Sequence, residues 1–377
     1  MQLKTCNFCI MDSTDPNIIF DEKGQCHHCR SYLENLPKLP SLQSNAKEQL
    51  SNMVNRIKET GKGKKYDCVI GLSGGVDSTY VAYVVTKILG LRPIAVHMDN
   101  GWNSELSVKN VENIVKKLGI DLYTKVLDWD EFRDLQLAFL KASTPDSEIP
   151  TDHAICATLY EVAAKHNIKY IISGANFITE RIMPHAWSQG HGDYRYIKNV
   201  SQKFGKIPLK TFPYLNDLKR FYYEKVCGVK FVPIFDYFKF DLQIARKTIQ
   251  EELEWKDYGG KHYESLYTKF FQGYILPQKF SFDKRKGHLS NLVCAGFLSR
   301  EEALKKLEHP AIEKDEACYL KQYVAKKFNI SDSELEEILA LPTKTYQDYP
   351  NSYNSSWYIY SRKYLKPIYR FFVPVKE

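Results

Sequence analysis

Seven residues constrain this 377-residue chain more than any others: Ser73-Gly74-Gly75-Val76-Asp77-Ser78-Thr79. They follow an apolar run, Tyr66-Asp67-Cys68-Val69-Ile70-Gly71-Leu72, and open a helix-like stretch at 78–89. A buried strand feeding a Gly-rich turn and then a helix presents bare backbone amides, hydroxyl donors and a positive helix end to an anion. The lysine of a Walker A loop is missing, so this is not the usual NTPase cradle. The pattern then repeats. Residues 93–98, 121–127 and 169–173 read as further strands, 104–118 and 152–166 as helices between them, and 230–234 as a possible fifth strand. Short apolar strands alternating with amphipathic helices predict an α/β fold, a doubly wound parallel sheet with helices on both faces.

Around this core the chain divides into a Cys-rich element at 1–36, a helical linker at 37–63, the α/β domain at 64–235 with an insertion at 184–228 rich in Lys, Tyr and Phe, and a mainly helical region at 236–377. The first element carries Cys6-x2-Cys9, sixteen intervening residues, then Cys26-x2-Cys29. Two close thiolate pairs supply four tetrahedral ligands, and four protein ligands make a closed, structural Zn²⁺ site. A disulfide pair is the competing reading, and His27 or His28 offers a replacement ligand. Nine cysteines without an apolar leader point to a reducing cytoplasm. No run of 18 apolar residues exists, which argues against membrane insertion. A net charge of +8, from 53 basic and 45 acidic residues, favours an anionic partner but is thin for nucleic acid.

Ser-Gly-Gly-Val-Asp-Ser-Thr resembles the PP-loop of the ATP pyrophosphatases, a group that includes GMP synthetase, asparagine synthetase and tRNA-modifying enzymes. The resemblance implies ATP cleavage between the α and β phosphates, with Ser73, Gly74, Gly75, Val76, Asp77, Ser78 and Thr79 on the pyrophosphate and Asp77 holding Mg²⁺. It also places His97 and Asp99, at the end of the second strand, and Gly174, after the fourth, beside the nucleotide. Taken alone, His97 reads equally as a hydrogen-bonded strand-end histidine.

Two C-terminal segments mix charge with aromatics: 258–265, with Lys261, His262 and Glu264, and 282–290, with Asp283, Arg285 and His288. Spacing alone makes them exposed helix charges. Together with the four-Cys element, the PP-loop and Thr345-Tyr346-Gln347-Asp348-Tyr349-Pro350-Asn351, however, they are similar to the N-acetyl sugar amidotransferase family, which turns an acetamido group on a bacterial surface sugar into an acetamidino group. That resemblance implies an acidic acetamido sugar substrate for O-antigen, capsule or flagellin glycans, and an AMP-forming ligase. Lys261, His262, Glu264, Asp283, Arg285 and His288 then become candidate sugar contacts, with Arg285 first for an anionic group because a guanidinium suits a carboxylate. Glu180 and Arg181, just past the fourth strand, are candidates for the reaction centre, Glu180 as base. Residue two is Gln2 and no Cys-His-Glu glutaminase segment is visible, so ammonia is expected from a separate glutaminase subunit with a cyclase-like partner. The rival reading is a PP-loop tRNA-modifying enzyme, which needs a sulfur-carrying thiol; Cys156 is the only core candidate, and on an apolar helix face it reads as a buried small residue. A zinc-ribbon nucleic-acid scaffold ranks last, since it leaves the loop unexplained.

Overall fold

The computed structural model describes residues 3–355 apart from 261 and 262. Five parallel strands form one sheet in the order β3-β2-β1-β4-β5: β1 Cys68–Gly71, β2 Pro93–Asp99, β3 Asp121–Val126, β4 Tyr170–Ser173 and β5 Lys230–Pro233. In β1 and β2 nearly every position is buried, as an interior parallel strand covered on both faces requires. Edge strand β3 alternates between exposed and half-buried positions. The helices between strands are α3 (Val76–Tyr83), α4 (Glu105–Leu118), α5 (Trp129–Ala142) and α6 (Ile149–Lys165), preceded by α1 (His27–Asn35) and α2 (Ala46–Gly61). The stretch expected as one helix over 78–89 is α3 followed by a single π turn, Val84–Ile88, whose wider ring ends at Leu89 N donating to Val84 O.

The order of the strands decides where a ligand goes. The chain winds outward from β1 through β2 to β3, then returns to the other side of β1 for β4 and β5. The crevice at the carboxyl ends of β1 and β4 is therefore the topological switch point. After β4 come α7 (Phe177–Glu180) and α8 (Tyr194–Phe204). The 184–228 segment is stitched into the core: Trp187, Tyr196, Ile197, Val200 and Leu215 are buried, and α8 packs on α5. Its loops are held by carboxylates, with Glu131 accepting backbone N–H bonds from Lys210, Thr211 and Phe212. Beyond β5 the described chain is helical. No described helix is long and apolar enough to cross a membrane.

Candidate active site

The loop after β1 leaves the first turn of the helix that follows without a side-chain cap. Gly75 is the N-cap of α3, and no side chain caps the helix. Ser78 Oγ reaches back to Ser73, accepting from Ser73 N at 3.2 Å and lying 3.1 Å from Ser73 Oγ, so the two hydroxyls brace the turn. Gly74 has φ +84°, and a Cβ there would sit 2.8 Å from Ser107 O. Only glycine fits. Trp255 Nε1 donates to Gly74 O at 2.7 Å and fixes the loop from the C-terminal side. Just past β4, Gly174 runs against α3, where a Cβ would meet Val81 at 3.3 Å and Asp77 at 3.4 Å.

Two adjoining cavities open at this switch point. The outer, about 840 Å³, is lined by Gly75, Val76, Asp77, Gly174, Glu180, Tyr258, Asp283 and Arg285 among others. The inner, about 380 Å³, is walled by Leu72, Val96, Met98 and Ile155, with His97, Asn100, Asn103, Glu148, Thr151 and Asp152 as its polar groups. Ser73, Ser78, Glu264, Gln272, Lys284 and His288 border both. The C-terminal region closes the cleft by pairing with the core: Ser104 N donates to Glu264 O and Leu266 N to Trp102 O. Glu264 Oε1 thereby comes 3.3 Å from Ser73 Oγ, against the loop itself.

The other residues singled out from the sequence fall in several places. His97 is buried, its Nδ1 2.8 Å from Leu72 O and its Nε2 3.2 Å from Asn103 Nδ2, so it is a bonded strand-end histidine that also walls the inner cavity. Asp99 Oδ1 accepts from Gly101 N and shapes the turn after β2. Glu180 borders the outer cavity, whereas Arg181 is exposed and stacks on Phe177 at 5.6 Å. Arg285 reaches the outer cavity, but its fork is already engaged: Nε and Nη2 donate to Asp283 Oδ2 at 2.9 and 2.7 Å, and Nη2 also to His309 O. Lys261 and His262 lie outside the described residues. Tyr346 and Tyr349 donate to Asp193 and to Ala142 O, tying 345–351 to the segment before α8 and to α5, away from both cavities.

A charged cluster that the sequence did not reveal lies at the inner end. Lys284 stands beside Asp146 and Glu148, while His191 reaches Asp146 at 3.1 Å and Asp152 at 3.3 Å. Burial pushes the Glu148 carboxyl up to about 7, against the pull of Lys284. Burial alone would lower His191, but the hydrogen bond and charge of Asp146 and the charge of Asp152 raise it to about 9. The sign of the resulting pH dependence follows. A folded value of about 7 against the ordinary 4.5 means the folded chain holds the Glu148 proton more tightly than the unfolded chain does. That contribution is present at pH 4.5 and below and is lost as pH rises through about 7, on the order of 1–3 kcal/mol. Thermal melts should therefore fall across this window. Glu148→Gln should flatten the fall there, leaving the His191 loss toward about 9; an unchanged slope would show that Glu148 does not titrate so.

The acids beside the loop bear on a metal. Asp77 borders the outer cavity from the first turn of α3, and Glu264 Oε2 is buried without a hydrogen-bond partner among the described residues. Burial first, then the charge of Asp77, pushes the Glu264 carboxyl up. Two carboxylates beside an anion-binding loop offer the hard oxygen donors that a divalent cation takes between protein and phosphate, so these residues fit Mg²⁺.

At the other end of the chain, the sulfurs of Cys6, Cys9, Cys26 and Cys29 lie within 4.8 Å of one another, and all four residues are buried. Neighbouring sulfurs are 3.5–3.8 Å apart. A zinc–sulfur bond of about 2.3 Å gives a tetrahedral edge of about 3.8 Å, so the set fits Zn²⁺. His27 and His28 are not part of it: His27 Nδ1 accepts from Ile19 N and His28 pairs with Asp15 at 2.7 Å. A fifth sulfur, Cys294, lies 3.7 Å from Cys29, and Arg300 donates to Cys6 O and Cys9 O at 3.0 and 3.1 Å. The Arg285–Cys294 helix packs on both α1 and α7, joining this cluster to the cleft.

Comparison with known proteins finds two family matches along the chain. Residues 46–195 match the NAD synthase family, and residues 264–363 match the C-terminal domain of the WbpG-like LPS biosynthesis proteins. An uncharacterised protein of Methanocaldococcus jannaschii, MJ1599, is 25% identical over 82% of this chain and 95% of its own length. The glutamine-hydrolysing GMP synthase of Pyrobaculum aerophilum is 29% identical over 34% of this chain, which spans only 24% of that enzyme. Among solved structures, NMN synthetase from Francisella tularensis aligns over 80% of this chain and 99% of its own, at 16% identity and a TM-score of 0.29.

Proposed function

We propose that this chain, which belongs to the WbpG-like family of PP-loop enzymes, is an ATP-dependent carbon–nitrogen ligase that turns the acetamido group of an acidic N-acetyl sugar into an acetamidino group for a surface glycan. One juxtaposition supports this best: the PP-loop and the start of the WbpG-like region close on a single cleft, Glu264 against Ser73. An acetamide carbon is a poor electrophile, and attaching AMP to its oxygen supplies both a leaving group and an electron-poor carbon. The loop amides and the Ser73 and Ser78 hydroxyls hold the pyrophosphate portion of ATP. The amide oxygen attacks the α-phosphorus, the bond to the β-phosphate oxygen breaks, and its electron pair leaves with pyrophosphate. The O-adenylyl imidate keeps its N–H as a cation. Ammonia then adds to the carbon, AMP departs, and Glu180 on the outer wall takes the surplus proton. Asp77 and Glu264 would hold Mg²⁺, which supplies neutralising charge to the phosphates. Ammonia comes from a separate glutaminase subunit working with a cyclase-like partner.

The test incubates the full chain with ATP, Mg²⁺, ammonium and a panel of acetamido sugars. AMP should form in step with a product in which NH has replaced oxygen, and glutamine alone should not support turnover. ADP as the stoichiometric product would overturn the reading. The rival, sulfur transfer to tRNA, needs a thiol at the cleft. No cysteine is found among the described residues that border either cavity, and Cys156 is half-buried with its thiol pushed up by burial.

A further inference from the structure

Lys284 has no counterpart in the scheme above. It is only 8% exposed, and it borders both cavities at the junction that it shares with Ser73, Ser78 and His288. Its nearest carboxylate oxygens, Asp146 Oδ2 at 3.9 Å and Glu148 Oε2 at 4.0 Å, lie beyond hydrogen-bond reach. Both are committed elsewhere: Asp146 Oδ2 accepts from Ser188 Oγ at 2.6 Å, and Glu148 Oε2 accepts from Gln272 Nε2 at 2.7 Å. The carboxylates are near enough to keep Lys284 charged, raising it against the lowering effect of burial. They do not satisfy its three N–H donors. Facing both cavities, the ammonium has donors left to give to a ligand oxygen.

We propose that Lys284 is an oxyanion-binding group whose ligand is the α-phosphate of ATP, so that the PP-loop and Lys284 hold opposite sides of the bond that breaks. The inference rests on the ATP reading of the cleft. The loop gathers the pyrophosphate portion on the Ser73–Thr79 side, and the next phosphoryl group in line lies at the junction where Lys284 stands. As the amide oxygen closes on the α-phosphorus and the bridge to pyrophosphate opens, the non-bridging oxygens remain anionic beside an ammonium kept charged by Asp146, Glu148 and Asp152. Lys284 transfers no proton in this step. It meets charge.

The probes are AMP, inorganic pyrophosphate and α,β-methylene ATP, each with Mg²⁺, titrated calorimetrically into the metal-loaded full chain. Lys284→Met should weaken AMP and the methylene analogue by about tenfold or more while pyrophosphate stays within about twofold, the loss expected for a buried charge-assisted contact. Equal weakening of all three probes, or of none, would overturn the assignment. Because Lys284→Met leaves two acids facing each other, Lys284→Met/Glu148→Gln is measured beside it and should show the same selectivity. A third arm uses the unmutated chain, with Lys284 acetylated by acetic anhydride through the cavity and the peptide read by mass spectrometry. AMP should protect Lys284 and pyrophosphate should not; protection by pyrophosphate, or no labelling under any condition, counts against the proposal. If the wild-type chain binds none of the three probes, the ATP reading falls as well, whereas unselective effects in a chain that does bind them overturn only the placement of Lys284.

Discussion

Asp77→Asn is expected to leave the chain folded while its turnover falls by about 10²–10³-fold, the loss that follows when a preorganised charge contact in a closed site is removed. The substitution keeps the shape of the side chain and its place in the first turn of α3. The cost to stability is small, because a carboxylate at a helix N-terminus contributes only about 0.3–1 kcal/mol. The cost to chemistry is large, because a carboxamide is neutral and a weak ligand for a hard divalent ion. Two readouts separate the effects. Melting temperature should be nearly unchanged, and the concentration of Mg²⁺ needed for half-maximal rate should rise. Loss of activity in proportion to loss of stability would show that Asp77 is a structural residue of α3.

Cys9→Ser is expected to release the metal and loosen residues 1–36. Elemental analysis of the wild type should find one zinc per chain and of the variant close to none; a wild type without zinc would end the assignment, and iron in its place would change the identity of the ion. The effect is large because in so small an element the binding free energy of the ion, of the order of 10 kcal/mol, is also the folding free energy. Four thiolates on Zn²⁺ leave a net double negative charge in a dry setting. Backbone N–H groups of Phe8, Cys9, Cys26 and Met11 point at the sulfurs, and the Arg300 guanidinium sits on the two carbonyls of the first knuckle. Without the ion these groups lose their reason to converge. Ile10 N donates to Ser290 Oγ and Lys286 pairs with Asp12, so nucleotide affinity should weaken together with metal content.

The strands were legible because interior parallel strands leave apolar runs, and the loop was legible because its chemistry sits in seven consecutive residues. The Lys284 cluster was not. Its members come from 146–152, 191 and 284, and a charged residue taken singly reads as solvated surface. Only the crossing of the chain over β4 and the docking of the C-terminal helices bring them together. Arg285 shows the opposite failure. Its suitability for a carboxylate is intrinsic to the guanidinium, but Asp283 two residues earlier engages that fork first, a matter of local backbone geometry that a sequence pattern does not encode. Glu264 was singled out as a sugar contact and lies against Ser73 instead, because pairing of 264–266 with 102–104 turns that segment toward the loop.

The helix Arg285–Cys294 touches the cysteine cluster through Cys294 and the adjoining Ile10 N–H through Ser290, and borders the cleft through Arg285, His288 and Leu289. This has a consequence for the order in which the molecule is made. Cys6, Cys9, Cys26 and Cys29 leave the ribosome long before the helix that packs over them exists. The cysteine element can thus close before the Arg285–Cys294 helix is made, and that helix takes part of its seat from it, beside α7 and the helix that follows. Shortening the chain from its first residue removes part of the surface on which that helix packs.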